Sequence, residues 1–250
     1  AINLAHDRSK AFNNRVTSCG RGIHISAADI EVYGNYLNLT QHLVFDDRPQ
    51  GSTTFRHYYT ENHGIKLENC GENVRVHHNM VISHQPQPRP DELRRFSDSV
   101  KGTITHNSGD ELIYDGSHFA PPTPLNFHVG ANVMAEIFEN TFVATTSYEQ
   151  AVLPKRYYTP GEWAAALRIA KGDGVSDPGK YSVSIHHNVF KSNDAFIRGC
   201  DTKQTIKLEH NRFELLEKPT KNHSAVRGDA QAAMRALLFS GKNTFIGMQP

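Results

Sequence analysis

One phrase recurs along this chain and limits what it can fold into. It reads VRVHHNM at 74–80, VSIHHNVF at 183–190 and IKLEHNRF at 206–213. Looser copies are IEVYGNYL around Asn35, AEIFENTF around Asn140, ALLFSGKNTF around Asn243 and SKAFNNRV around Asn14. GTITHNSG, around Asn107, is the most distant. Counted from the Asn, apolar residues stand at −5, −3 and +2. Alternation with a period of two marks a strand with one buried face. Asn directly after it marks a corner, because its side chain caps nearby backbone groups and tolerates turn conformations.

A second alternating segment precedes these phrases. It reads GIHISAAD (22–29), GIKLENCG (64–71), ALRIAKGD (166–173) and AFIRGCD (195–201), with AINLAHD (1–7) and SAVRGDA (224–230) as looser versions. Cys70 and Cys200 hold the same place, which Ala28 and Gly172 fill elsewhere. That is a slot for small side chains and favours packing over redox chemistry. With Cys19 the chain has three cysteines, too few and too scattered for a disulfide framework or a zinc knuckle. Ile2 to Ile23 and Asn14 to Asn35 are both steps of 21 residues, and Asn188 to Asn211 is 23. Other steps are lengthened to 32, 44 and 48 by insertions. Such a unit, with short strands and polar corners, is one rung of a solenoid: no rung buries its apolar face alone, and stacking closes a continuous core. Helical periodicity is confined to PDELRRF (90–96) and TPGEWAAAL (159–167).

These x-φ-x-φ-x-x-N-x-φ units resemble the right-handed parallel β-helix of the pectin-lyase-like superfamily, which includes polysaccharide lyases and C5-epimerases. The expected fold is therefore all-β, a right-handed parallel β-helix of about eight rungs and roughly 40 Å long at the spacing of paired strands. Residues 1–250 form a single domain. A mean hydropathy of −0.55 with 38% hydrophobic residues suits a narrow core under a large surface. The formal net charge of +1 demands no nucleic acid partner, and no run of 18 apolar residues offers a membrane span. The first residues lack the apolar stretch of a signal peptide, as both a mature secreted chain and a cytosolic one would.

The excess lengths fall at 38–62, 83–101, 143–165 and 214–223, each after an Asn corner, so long loops are expected on one side of the solenoid. Loops on a rigid scaffold are where function usually sits. Tyr58, Tyr59, Tyr157, Tyr158 and Trp163, with Arg56, Arg95 and Arg156, suit sugar stacking and anion contacts, or alternatively pin the loops to the barrel. On the preceding strands, His24, Lys66 and Arg168 alternate with apolar residues and point outward. Glu68, Arg198 and Arg227 follow one step further along. Stacked at rung spacing they form a cationic ladder containing one acid. By the resemblance, an acidic polysaccharide would lie there, its uronate carboxylate neutralised by Arg or Ca2+. Its C5 proton would go to a base whose pKa is lowered by neighbouring positive charge. Lys66 is the first choice for that base, with Arg168 and Arg198 binding carboxylate bidentately, His24 beside them and Arg227, Glu68 and the loop residues Tyr157, Tyr158, Trp163 and Arg156 contacting substrate.

Two further constellations carry acids and imidazoles. AHDRS (5–9) resembles the DPHDRS segment of alginate C5-epimerases in His6, Asp7, Arg8 and Ser9, although Leu4-Ala5 stands in place of Asp-Pro. It would place His6 and Asp7 a rung from His24. THNSGDELIYDGSH (105–118) carries His106, Asp110, Glu111, Asp115 and His118, which could serve as paired acid and base or bind Ca2+. The paired histidines of the recurring phrase make no shared metal site across the fold. His78 and His187 lie about three rungs, roughly 14 Å, apart, far beyond Zn–N bonds of about 2.0 Å. No metal ligand set is assigned.

The chain begins within a strand pattern and ends just after an Asn corner, with no amphipathic capping helix evident at either end. Open solenoid ends expose apolar side chains and unpaired backbone. They imply either that the chain is part of a longer polypeptide or that a partner domain or chain covers them. The functional expectation is a secreted, periplasmic or cell-surface enzyme acting on an acidic polysaccharide by C5 proton abstraction, as a β-elimination lyase or a C5-epimerase. The alternatives are a non-catalytic carbohydrate-binding, adhesin or tailspike-like module and, third, a glycoside hydrolase with paired carboxylates.

Overall fold

The structure, a computed structural model, describes residues 2–18, 21–40, 63–85, 103–105, 111–113, 122–128, 133–147, 164–170, 181–199, 205–217, 219, 223–228 and 231–248. Its strands stack into three parallel sheets that run the length of a right-handed solenoid. The first sheet joins Ile2–Leu4, Ile23–Ile25, His63–Glu68, Thr123–His128, Ala165–Ala170, Ala195–Gly199 and Val226–Arg227 in chain order. The second sheet holds the strands that lead into each Asn, from Lys10–Phe12 to Thr205–Glu209. The third holds those that leave it, from Arg15–Ser18 to Thr244–Ile246.

The third sheet goes beyond the two strands per rung that alternation suggests. Apolar residues continue past the Asn and point inward: Leu37 and Leu39, Val81, Phe142 and Ala144, Phe190 and Phe213 are all buried. The excess lengths therefore begin later than expected, after Tyr36–Thr40, Met80–Gln85, Thr141–Thr146 and Arg212–Leu215. Seven rungs are described. Thr103–Thr105 and Glu111–Ile113 pair antiparallel with each other and join none of the three sheets, and Asn107 between them in sequence lies outside the described residues.

The Asn corners explain why the phrase repeats. Asn14, Asn35, Asn79, Asn140, Asn188 and Asn211 each donate from Nδ2 to Oδ1 of the Asn one rung on, at 2.8–3.2 Å, the last acceptor being Asn243. The same Oδ1 accepts the backbone N–H of the donating Asn. From Asn35 onward Nδ2 also donates to a carbonyl of the preceding rung. Buried polar groups need partners, and a column of identical amides supplies them at strand spacing. The residue just before each Asn takes left-handed backbone angles: Asn13, Gly34, His78, Glu139, His187 and His210 have φ between 53° and 64°. Asn and Gly adopt that region readily; His and Glu hold it because the ladder behind them is fully bonded.

Two expectations about helices need correcting. Ala165–Ala170, which takes in the last three residues of the helical-looking TPGEWAAAL stretch, is a strand of the first sheet. Conversely, a helix, Gln231–Ser240, replaces the second-sheet strand of the last rung and packs on the first-sheet strands Ala195–Gly199 and Val226–Arg227. Met234 and Leu238, one turn apart, are its buried face. Gly199 lies so close to the Met234 thioether that a Cβ there would collide with Sδ at 2.3 Å. This helix packs over the core at the last rungs, where the sequence pattern shows no capping helix. Cys70 is buried, and that burial pushes its thiol up to about 12, in keeping with a packing role. Cys19 and Cys200 lie outside the described residues.

Candidate functional site

The outer face of the first sheet carries one continuous row. Asn3 pairs with His24, His24 with Lys66, Lys66 with Asn126, Asn126 with Arg168, Arg168 with Arg198 and Arg198 with Arg227. Arg198 and Arg227 therefore stand in the same row as His24 and Lys66, not one step further along as alternation suggested. The frame was misread because Ala164, Ala165 and Ala166 are all buried, as are Ala195, Phe196 and Ile197. Where neighbouring residues are buried on both faces, period two does not set the register; pairing of Leu167 with Ile197 does. Glu68 is the one residue of the group that lies a step along.

The row's chemistry centres on Glu68. Its Oε2 is 2.7 Å from Lys66 Nζ and 3.1 Å from His24 Nε2. The Lys66 side chain is only 4% exposed, so its ammonium is committed to this carboxylate rather than presented to solvent. His24 is half-buried. Burial first, and then the Lys66 charge, hold its imidazole below the usual histidine range, against the opposing pull of Glu68. At the other end Arg227 Nη2 donates to the buried Asp194 Oδ1 at 2.7 Å.

Asn126, His63 and Asp194 are site residues that sequence reasoning missed. Asn126 is wholly buried in the middle of the row; its amide nitrogen lies 3.1 Å and 3.2 Å from the two ring nitrogens of the buried His63. Asn126 Oδ1 has no hydrogen-bond partner among the described residues. Leu125 and Phe127 do alternate around it, but the prolines of APPTPLNFH argue against a central strand. Gly64 resolves the conflict. A Cβ there would meet Pro124 O at 2.4 Å, so glycine lets the neighbouring rung close onto the proline.

The other candidates do not join this row. His6 and Asp7 are exposed at the corner beyond Leu4, and Asp7 Oδ1 accepts the Ala28 N–H at 2.8 Å, a corner cap rather than a partner for His24. Tyr157, Tyr158, Trp163 and Arg156 lie outside the described residues, as do Tyr58, Tyr59, Arg56, Arg95, His106, Asp110, Asp115 and His118. Glu111 is known only as a backbone partner of Thr105. Ca2+ takes six to eight oxygens, whereas Glu68, the acid beside the row, already spends Oε2 on Lys66 and His24. The described residues do not fit that ion, nor do they gather any group of three or more His, Cys, Asp or Glu side chains suited to a metal. No helix among them is long and apolar enough to cross a membrane.

No family model, curated protein or solved structure matches this chain. The chemistry of the row therefore rests on its own geometry.

Proposed function

We propose that the outer row of the first sheet binds an acidic polysaccharide and starts C5 proton abstraction, as a lyase or C5-epimerase of the pectin-lyase-like superfamily acting outside the cytoplasm. The observation that carries this reading is the single register of His24, Lys66, Arg168, Arg198 and Arg227. Arg168, Arg198 and Arg227 stand directly opposite one another on neighbouring strands, where like charges are destabilising, and a polyanion laid along those rungs offsets that repulsion. Arg168 and Arg198 present planar guanidiniums suited to bidentate carboxylate contacts. Neutralising the uronate carboxylate acidifies the C5–H bond. His24, rather than Lys66, takes the proton in this reading, because burial and the Lys66 charge keep its imidazole uncharged near neutral pH. Lys66 and Glu68 position it. From the resulting carbanion, loss of the leaving group at C4 gives an unsaturated product, and reprotonation on the opposite face gives the epimer.

The test is incubation with polyuronates and glycosaminoglycans, monitoring absorbance near 235 nm for elimination and proton exchange from solvent at C5 for epimerisation. His24→Ala is expected to abolish both signals while Arg198→Ala raises KM more than it lowers kcat. The wild-type rate should hold through the ordinary histidine range and fall only on further acidification, as His24 becomes protonated, because its pKa is lowered by burial and by Lys66. Absence of either product with every polyuronate, or a rate indifferent to His24→Ala, overturns the proposal.

A further inference from the structure

The recurring HHN phrase carries chemistry of its own on the second sheet, apart from the outer row of the first. In VRVHHN, His77 Nδ1 and His78 Nδ1 converge to 2.9 Å. Each ring is tied at its other nitrogen to a carboxylate: His77 Nε2 to Glu31 Oε1 at 3.3 Å and His78 Nε2 to Glu139 Oε2 at 2.9 Å. Glu31 is also paired with Lys10, whose Nζ lies 2.7 Å from its Oε2. A neutral imidazole has one N–H. Here that N–H belongs at Nε2 in both rings, which leaves a lone pair on each Nδ1. The two Nδ1 atoms, at hydrogen-bond distance from each other, are left to share one positive centre, a proton or a metal ion.

We infer that His77 and His78 chelate one divalent transition-metal ion through their two Nδ1 atoms. Metal–imidazole bonds of about 2.0–2.1 Å meeting at a right angle place the two nitrogens about 2.9 Å apart, whereas a tetrahedral angle places them about 3.3 Å apart. The pair thus suits the tetragonal geometry of Cu2+ or Ni2+, and the usual affinity order puts Cu2+ first. Carboxylates behind ligating histidines fix the tautomer and raise ligand basicity, and Glu31 and Glu139 stand where such groups belong. Stacking holds the His77 ring between Tyr33 and Phe138, with centroids 5.3 Å and 4.9 Å away. His78, 60% exposed, keeps the site open to solvent, so water fills the remaining positions.

The fold repeats the device. His186 Nδ1 and His187 Nδ1 also lie 2.9 Å apart, with Glu136 at 3.3 Å behind His186. Among the described residues no carboxylate backs His187, which stacks on His210 instead. This second pair is a weaker version of the first.

The experiment titrates Cu2+ into the full chain after chelator treatment, by calorimetry and by electron paramagnetic resonance, which reads nitrogen ligation directly. The expected result is a tighter site lost in His78→Asn and a weaker one lost in His187→Asn. Asn accepts the left-handed backbone at both positions, so folding, checked by circular dichroism, is retained. Glu139→Gln should weaken the tighter site about 10–100-fold. Unchanged stoichiometry and affinity in His78→Asn and Glu139→Gln would overturn the inference. So would nitrogen NMR that finds a shared proton on the His77–His78 pair, unmoved by Cu2+.

Discussion

The Asn corner and the outer row of the first sheet run through the same rungs and follow opposite rules. At the corner, six rungs place the same residue in the same bond pattern, and its amide groups are used between rungs and within them. In the outer row four residue types share seven rungs: Asn, His, Lys, Asn, Arg, Arg, Arg. From His24 onward its members are buried or half-buried all the same, and Asn126 Oδ1 stays unpaired among the described residues. Repetition solves a stability problem that each rung poses identically. In the row charged residues are instead met by local partners of their own, as Lys66 is by Glu68 and Arg227 by Asp194.

The contrast can be broken from either side. The largest effect is expected at the corner. Asn140→Ala removes the acceptor of the Asn79 N–H and the donor to Val76 O and Phe138 O, all at once. Each orphaned buried group costs about 1–3 kcal/mol, so a loss of roughly 3 kcal/mol or more should appear in urea unfolding. A loss below about 1 kcal/mol would mean that the ladder is ornamental. An intermediate effect belongs to the row. Glu68→Gln leaves the buried Lys66 without its carboxylate, and the partial exposure of Glu68 limits the cost to about 1–3 kcal/mol. Lys66→Met leaves Glu68 without its ammonium, but the partial exposure of Glu68 lets water solvate the carboxylate, so stability should change by less than about 1 kcal/mol. That same variant should lose polyanion binding in affinity electrophoresis. If Lys66→Met destabilises strongly and leaves binding intact, the row is structural like the corner. The smallest effect is expected at Asp7. Asp7→Ala removes one exposed cap on the Ala28 N–H, worth about 0.5–1 kcal/mol. Catalysis should be untouched; an activity loss there would reinstate AHDRS as part of the site.

Much of this was legible before any coordinates. The rung period, the strand before each Asn, the corner role of the Asn and the small-residue slot at Cys70 all follow from period two and residue type. The third strand of each rung was missed because attention stopped at Asn+2, although Leu39 and Ala144 continue the same alternation. The helix Gln231–Ser240 was hidden inside what looked like a seventh copy of the phrase: ALLFSGKNTF keeps the Asn but carries its apolar residues at helical spacing.

The candidate site was legible in kind and blurred in register. His24, Lys66, Arg168, Arg198 and Arg227 were all picked out as outward-facing, yet their alignment into one row depends on pairing across strands 20 to 60 residues apart in sequence, fixed by Leu125, Leu167 and Ile197. Asn126 was invisible behind three prolines until Gly64 gave Pro124 room.

What the sequence determined by itself is the coil: local alternation, corner chemistry and repeat length dictate a stacked parallel β-helix, because each is a property of a few consecutive residues. What only the tertiary structure decided is which side chains meet. Whether Glu68 holds Lys66 or His24, whether two Nδ1 atoms face each other, and which arginines share a row are set by register and side-chain direction between rungs. Sequence spacing, interrupted by insertions of unequal length, does not record either.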